Sequence, residues 1–356
     1  MSAPSNPTTP VIKLPVVPKN AADMPKFRTG LLELTRSDPS VVVNFNDNGA
    51  ASIACTSEAH WESSLKALEK LSGVEIVARE PIVIYYETIS TAIQEESMRI
   101  SANKFNRVYI TIEPLDKEIA QSIRQLSSTA SIREKIETLR SDGHKDEYIK
   151  RIMAFSTSGT NILVDNTKGI AYLNEVKDSL IQPFRQLTDF GPLYRGPMDG
   201  VKFNISDLVL HADASKRTSN HLFFPTADAM TGAFLKAGPG LLEPIYSVEI
   251  QVPSEHVQYV TSVLTQRRGN LEEAEEANNL TIVKGDLPVA GSFGFTKDLS
   301  AATNGKATVE MNFSKYTLVP NSDPYGNGMG AEIVKRLREQ LGMGELKQAD
   351  YYLDKP

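Results

Sequence analysis

The chain has a single cysteine, Cys55, in 356 residues. No intrachain disulfide can form, which excludes a disulfide-stapled secreted scaffold and fits a reducing, cytoplasmic setting. The five histidines, His60, His144, His211, His221 and His256, are scattered without metal-ligand spacing. No nucleophile, base and orienting group accompany them, so the sequence assigns no catalytic residue, no metal and no cofactor. No apolar run approaches the roughly 20 residues needed to span a bilayer. The opening MSAPSNPTTP has no basic-then-apolar leader pattern, so no membrane partner is expected. No stretch reads G-x-x-x-x-G-K-[ST], the loop with which P-loop GTPases cradle phosphates. Gly191-Pro192 and Gly238-Pro239-Gly240 are turn glycines without the Lys-Ser/Thr that would follow. A basic excess is missing too. Lys and Arg number 38 against 44 Asp and Glu, a net charge of −6, so RNA could be met only through a local basic patch.

What is present is periodic. Residues 11–17 read as a strand. A helix with Pro25 in its first turn follows, carrying Phe27, Leu31 and Leu34 at helical spacing. Residues 41–45 and 51–55 are strands around an Asn48-Gly49 turn signal. Ser57 caps a helix with the stripe Trp61, Leu65, Leu68 and Leu71, and Gly73 stands at its C′ position. Strands over 74–77 and 82–86 close a split βαβ. The order recurs at the other end. Residues 245–252 alternate, Ser254 caps a helix carrying Val257, Val260 and Leu264, and 270–276 and 280–289 flank an Asn278-Asn279 turn. A short helix over 296–303 and a strand over 306–319 complete it. The middle differs. Strands are expected over 93–100, 107–112, 162–165 and 201–211, and helices around Ile132–Leu139 positions, around Ile149, Ile152 and Met153, and over 173–184 with a kink at Pro183. A polar loop, 212–221, precedes a helix that should begin at Pro225. A charged helix around 331–341 ends the pattern.

Four stretches give these elements a family likeness. They are Ser57-Glu58-Ala59-His60-Trp61-Glu62, Leu210-His211-Ala212-Asp213-Ala214, Gly291-Ser292-Phe293-Gly294-Phe295-Thr296, and residues 162–168 with Tyr172-Leu173 and Lys177-Asp178. In order and spacing the chain resembles the carboxyl-terminal half of eukaryotic and archaeal elongation factor two, from about Val11 to Tyr352. The resemblance implies an α+β chain of three domains. Two ferredoxin-like βαββαβ domains, 10–89 and 243–356, would flank a ribosomal protein S5 domain 2-like arm, 90–242. It implies a monomer whose partner is the ribosome, with tRNA mimicry at the decoding side, where rRNA and the tRNA–mRNA unit lie. The GTPase domain of that family has no counterpart here, and the chain begins with Met where the third domain would begin. Three readings follow. One is a non-catalytic, ribosome-associated protein that occupies the translocase site and modulates translation, with a GTPase partner acting in trans. Another is a fragment of a GTP-dependent translocase. The third is a decoy for the antifungal diterpenes that bind the junction of these domains.

At the arm's end the family reads His-Ala-Asp-Ala-Ile-His-Arg-Gly-Gly-Gly-Gln, and its second histidine becomes diphthamide. This chain has Lys216 there, followed by Arg217 and Thr218-Ser219-Asn220, so it carries no modified residue. A neighbouring family loop, Ser-Pro-Asn-Lys-His-Asn, appears as Ser101-Ala102-Asn103-Lys104-Phe105-Asn106. The resemblance thus points to an RNA-contacting tip made of Asn103, Lys104, Asn106, Arg107, His211, Asp213, Lys216 and Arg217. Trp61 and Cys55 read as core, His60 as a helix-surface or interface residue, and Glu58 with Glu62 as solvated or interfacial carboxylates.

Overall fold

Alternation writes the first strand. In β1 (Ile12–Pro18) every second residue is buried, which fixes one face of a sheet against helices. The computed structural model describes residues 9–45, 51–126, 130–277 and 279–355. They form two compact units, one made of the chain up to Tyr85 with Glu243–Thr317, the other of Tyr86–Leu242 with Leu318–Pro356.

In the first unit, α1 (Met24–Ser37) has Pro25 near its start, where a missing N–H costs nothing, and buries Phe27, Leu31 and Leu34. β2 (Val42–Phe45) and β3 (Ala51–Cys55) are antiparallel. The Asn48-Gly49 turn between them lies outside the described residues. The hydroxyl of Ser57 accepts the His60 N–H at the start of α2 (Glu58–Ser72), and Gly73 ends it at φ 64°, a left-handed value glycine adopts freely. Leu68 is buried and Trp61 and Leu65 pack against the same core, whereas Leu71, assigned to the stripe from its spacing, is exposed. β4 (Ile76–Ala78) and β5 (Ile82–Val83) both pair with β1. The order β2-β3-β1-β4 is that of a ferredoxin-like sheet.

The second unit begins with β6 (Tyr86–Ile89), β7 (Ile93–Ile100) and β8 (Arg107–Pro114), then α3 (Lys117–Arg124), α4 (Ile132–Ser141) and the single turn α5 (Asp146–Ile149). The helix expected through Ile152 and Met153 is not formed. Those residues open β9 (Ile152–Phe155), which pairs with β10 (Ile162–Asp165). Three apolar residues within five positions satisfy either period, and strand pairing decides. α6 (Leu173–Asp189) runs through Pro183, and β11 (Val201–Val209) lies between β8 and β10. α7 (Ser219–Lys236) starts six residues before Pro225, which sits inside it. The sheet order is β7-β8-β11-β10-β9, with only β10–β11 parallel, and α6 and α7 pack together, α7 also against β7 and β8.

The first four residues of β12 (Pro239–Pro253) pair with β6 in the second unit; from Glu243 the strand belongs to the first. There follow α8 (Val257–Gln266), β13 (Asn270–Ala277), β14 (Leu280–Pro288), the turn α9 (Val289–Ser292), α10 (Phe295–Ala302) and β15 (Thr308–Leu318). Asn278 of the expected turn is outside the described residues. The order β13-β14-β12-β15 repeats that of the first sheet. Within this unit the Tyr246 hydroxyl donates to the Thr56 carbonyl at 2.6 Å, and the Gly294 N–H to Glu58 at 2.9 Å, so Glu58 is an interface carboxylate. Residues 318–356, with α11 (Met329–Gln340), return to the second unit.

One buried carboxyl group organises part of the second unit. Glu87 on β6 is fully buried and accepts the N–H groups of Leu193, Tyr194 and Gly196 at 2.8, 2.9 and 3.1 Å. The Arg338 guanidinium of α11 takes the carbonyls of Pro192 and Leu193 from the same loop. Gly191 must be glycine here, since a Cβ would lie 2.3 Å from the Glu87 carboxylate.

Candidate nucleic-acid interface

Two loops of the second unit share one design. In the β7–β8 loop the Ser101 N–H donates to the Asn106 carbonyl at 2.9 Å, and the Asn106 N–H and Nδ2 return to Ser101 Oγ at 3.0 and 3.3 Å. In the β9–β10 loop Ser156 and Asn161 make the same three bonds at 2.9, 3.0 and 3.3 Å. Each asparagine then clamps one end of β11. Asn161 takes the Val201 N–H and donates to the Met198 carbonyl; Asn106 takes the His211 N–H and donates to the Lys216 carbonyl. The fourth position of each loop is left-handed, Gly159 at φ 67° in one and Lys104 at φ 63° in the other. A left-handed lysine costs about 1–2 kcal/mol. We expect Lys104→Gly to raise the unit's stability by about 0.5–1 kcal/mol, the extra freedom of unfolded glycine offsetting part of the relief. A urea midpoint that does not rise would contradict this.

The clamp brings the sequence-derived residues to one end of the sheet. Asn103 Nδ2 also donates to the Lys216 carbonyl, at 2.8 Å, so both asparagines pin the β11–α7 loop. Asp213 accepts the Ser215 N–H, which is the main cause holding its carboxyl below its ordinary value. His211 Nδ1 accepts the Asp213 N–H at 3.1 Å, which places the ring proton of the neutral form on Nε2. Lys104, Arg107 and Lys216 are exposed and, among the described residues, form no ion pair. Arg217 differs. Its side chain is 6% exposed, donates to the His211 and Ala212 carbonyls, pairs with Glu175 at 2.6 Å and lies 4.0 Å over the Tyr172 ring. Asn106 is buried as well. These two build the loop from inside, while the other six reach its surface or near it.

Sequence reasoning missed the aromatics here. Phe105 is 45% exposed, its ring 4.8 Å from that of His211 and 5.9 Å from Lys216 Nζ. Tyr172 is 41% exposed beside Arg217. The available signal was an aromatic set between Lys104 and Arg107 in the sequence.

Other groupings resolve into structural roles. Ser40, His60 and Asp38 converge, but not as a nucleophilic triad. The Thr56 N–H donates to His60 Nδ1, so the ring donates from Nε2 to Asp38 at 2.9 Å, and Ser40 Oγ also donates to Asp38. The histidine has no lone pair left for the serine. Those hydrogen bonds hold the Asp38 carboxyl below its ordinary value, the Ser40 hydroxyl foremost. Cys55 is buried, and burial pushes its thiol up to about 11. Among the described residues no group of His, Cys, Asp and Glu is placed to hold a metal ion, and no helix is long and apolar enough to cross a membrane.

Two ferredoxin-like sheets in one unit and a mixed sheet with a clamped loop pair in the other define a class. Residues 123–238 match elongation factor G, domain IV, and residues 240–325 match the elongation factor G C-terminus. The chain belongs to the family that carries these elongation-factor domains. Over 342 residues it is 38% identical to elongation factor 2 of Encephalitozoon cuniculi (strain GB-M1), an alignment that takes in 93% of this chain and 40% of that protein. The chain spans about two fifths of the length of this relative.

Proposed function

We propose that the chain is a ribosome-associated, non-catalytic protein that docks through the loop pair carrying Lys104, Arg107 and Lys216. It would act in the cytoplasm as a monomer of three domains, 10–89, 90–242 and 243–356, occupy the site a translocase uses and modulate translation, with any GTPase supplied in trans. One observation carries the reading. The tip loop keeps a lysine, at a cost in backbone strain, where its structural twin has glycine. Strain retained at one position of a repeated design argues for a role beyond folding. Asn103 and Asn106 fix the Lys216 backbone, and Arg217 supports it from within. RNA contact is thus assigned to the three cations, with His211 and Asp213 beside them. A second reading, that the chain is the carboxyl-terminal part of a GTP-dependent translocase, accords equally with an alignment that takes in 40% of the matched relative. Lys216 at the family's diphthamide position favours the first.

Co-sedimentation with ribosomes over a salt series tests the proposal. Three phosphate contacts give a log–log slope of about −2 to −3. Lys104→Ala with Lys216→Ala should flatten it by about 1.5–2 while changing stability by no more than ~1 kcal/mol. Unchanged affinity and slope in that double variant would reject the tip as the contact, and a wild-type chain that never sediments with ribosomes would reject the function.

A further inference from the structure

We propose that this tip recognises an unpaired RNA base, which stacks on the exposed face of Phe105 while Lys104, Arg107 and Lys216 hold the phosphates on either side. The inference rests on the docking function above and narrows it from RNA in general to RNA whose bases are free to stack.

Phe105 is an aromatic left 45% exposed at the end of a loop, although the unit has a well-filled core. Inside the protein it meets the tilted His211 ring and, at 5.9 Å, Lys216 Nζ. Neighbouring it in the chain are Lys104, exposed in the left-handed turn, and Asn106, which anchors the loop. The ring is therefore fixed at its root, has Lys216 Nζ over it, and still leaves nearly half of the residue's surface exposed. A second aromatic follows the same plan. Tyr172 has the Arg217 guanidinium 4.0 Å over its ring and stays 41% exposed. Exposed aromatics interleaved with cations are the composition of sites for single-stranded nucleic acid, in which every base offers a π-face and the backbone offers charge. A continuous duplex hides those faces in its own stack and is met through phosphates and 2′-hydroxyls, for which an exposed phenyl ring has no use. Three cations that form no ion pair among the described residues favour a polyanion, and Asp213 is the only carboxylate in the β11–α7 loop itself.

The test uses the full chain and fluorescence anisotropy with a labelled, unstructured 12-mer RNA and a blunt duplex of the same length. Single-stranded RNA should bind more tightly than duplex. Phe105→Ala and Phe105→Leu should each weaken single-strand binding roughly 5- to 100-fold, and Phe105→Trp should retain it. The slope of affinity against salt should stay unchanged in all three, because no charge is removed. Leucine separates stacking from simple apolar burial, and a matching circular dichroism spectrum excludes misfolding. Duplex bound as tightly as single strand, or Phe105→Leu binding as well as wild type, would overturn the inference. Should that happen while the Lys104 and Lys216 variants still weaken ribosome binding, the docking function survives and only base stacking falls.

Discussion

Glu87→Ala is expected to destabilise the second unit by on the order of 4–5 kcal/mol. The substitution strands three buried N–H groups, those of Leu193, Tyr194 and Gly196, each worth about 1–3 kcal/mol when left without a partner. Against a domain stability of about 5–15 kcal/mol this is a large fraction. The urea midpoint should fall sharply. A loss below ~1 kcal/mol would mean that Arg338 alone holds the loop through its carbonyls. The same residue sets a pH dependence. Burial, the largest influence, pushes the Glu87 carboxyl up to about 8, while the three N–H groups and Arg338 pull it back. An acid whose folded value lies above its unfolded value of about 4.3 takes up a proton on folding. Its contribution is complete below the unfolded value and is lost as pH rises toward 8. Stability should thus decline from about pH 5 to pH 8. Glu87→Gln has no proton to lose and should flatten the decline, at about 1–3 kcal/mol for turning an amide toward the Leu193 N–H. Parallel pH profiles for the two chains would contradict this.

Asn106→Ala should have the second-largest effect, about 2–4 kcal/mol, and a local one. It removes the acceptor of the His211 N–H and the donor to the Lys216 carbonyl, and opens the Ser101 loop. Hydrogen exchange should show His211 and the residues after it losing protection, with β10 and Asn161 unaffected, because the twin clamp lies at the other end of β11. Ribosome binding should weaken although no charge has changed. Uniform exchange across the unit, or undiminished binding, would show that the clamp does not position the tip.

The end sheets were legible because their signals are local and agree. Ser57 and Gly73 bracket α2, and Phe27, Leu31 and Leu34 keep helical spacing to one core. Where local signals were ambiguous, tertiary pairing decided. Ile152 and Met153 joined β10 rather than a helix, and Pro225 stands inside α7 rather than at its start. The tip was legible as a set of residues through family likeness, but not as a surface. Lys216 and Arg217 are adjacent and alike in charge, yet Arg217 turns inward to Glu175 and Tyr172, residues 42 or more positions earlier that no local pattern connects to it. The paired spacings Ser101-Asn106 and Ser156-Asn161 stood in the sequence throughout, but their meaning depends on β11, which both asparagines grip.

The central claim is that this loop pair meets ribosomal RNA. Because Cys55 is the one cysteine and is buried, a cysteine at exposed Ser215 can be labelled selectively with a photocrosslinker. Asp142→Cys, at the end of α4, whose Leu139 packs with Leu115 at the opposite end of β8, serves as the control position. With ribosomes, the Ser215→Cys probe should crosslink to small-subunit RNA at the decoding side, less so at high salt, and the control should not. Crosslinks from both positions alike, or none to RNA from Ser215→Cys while the chain is ribosome-bound, would contradict the account.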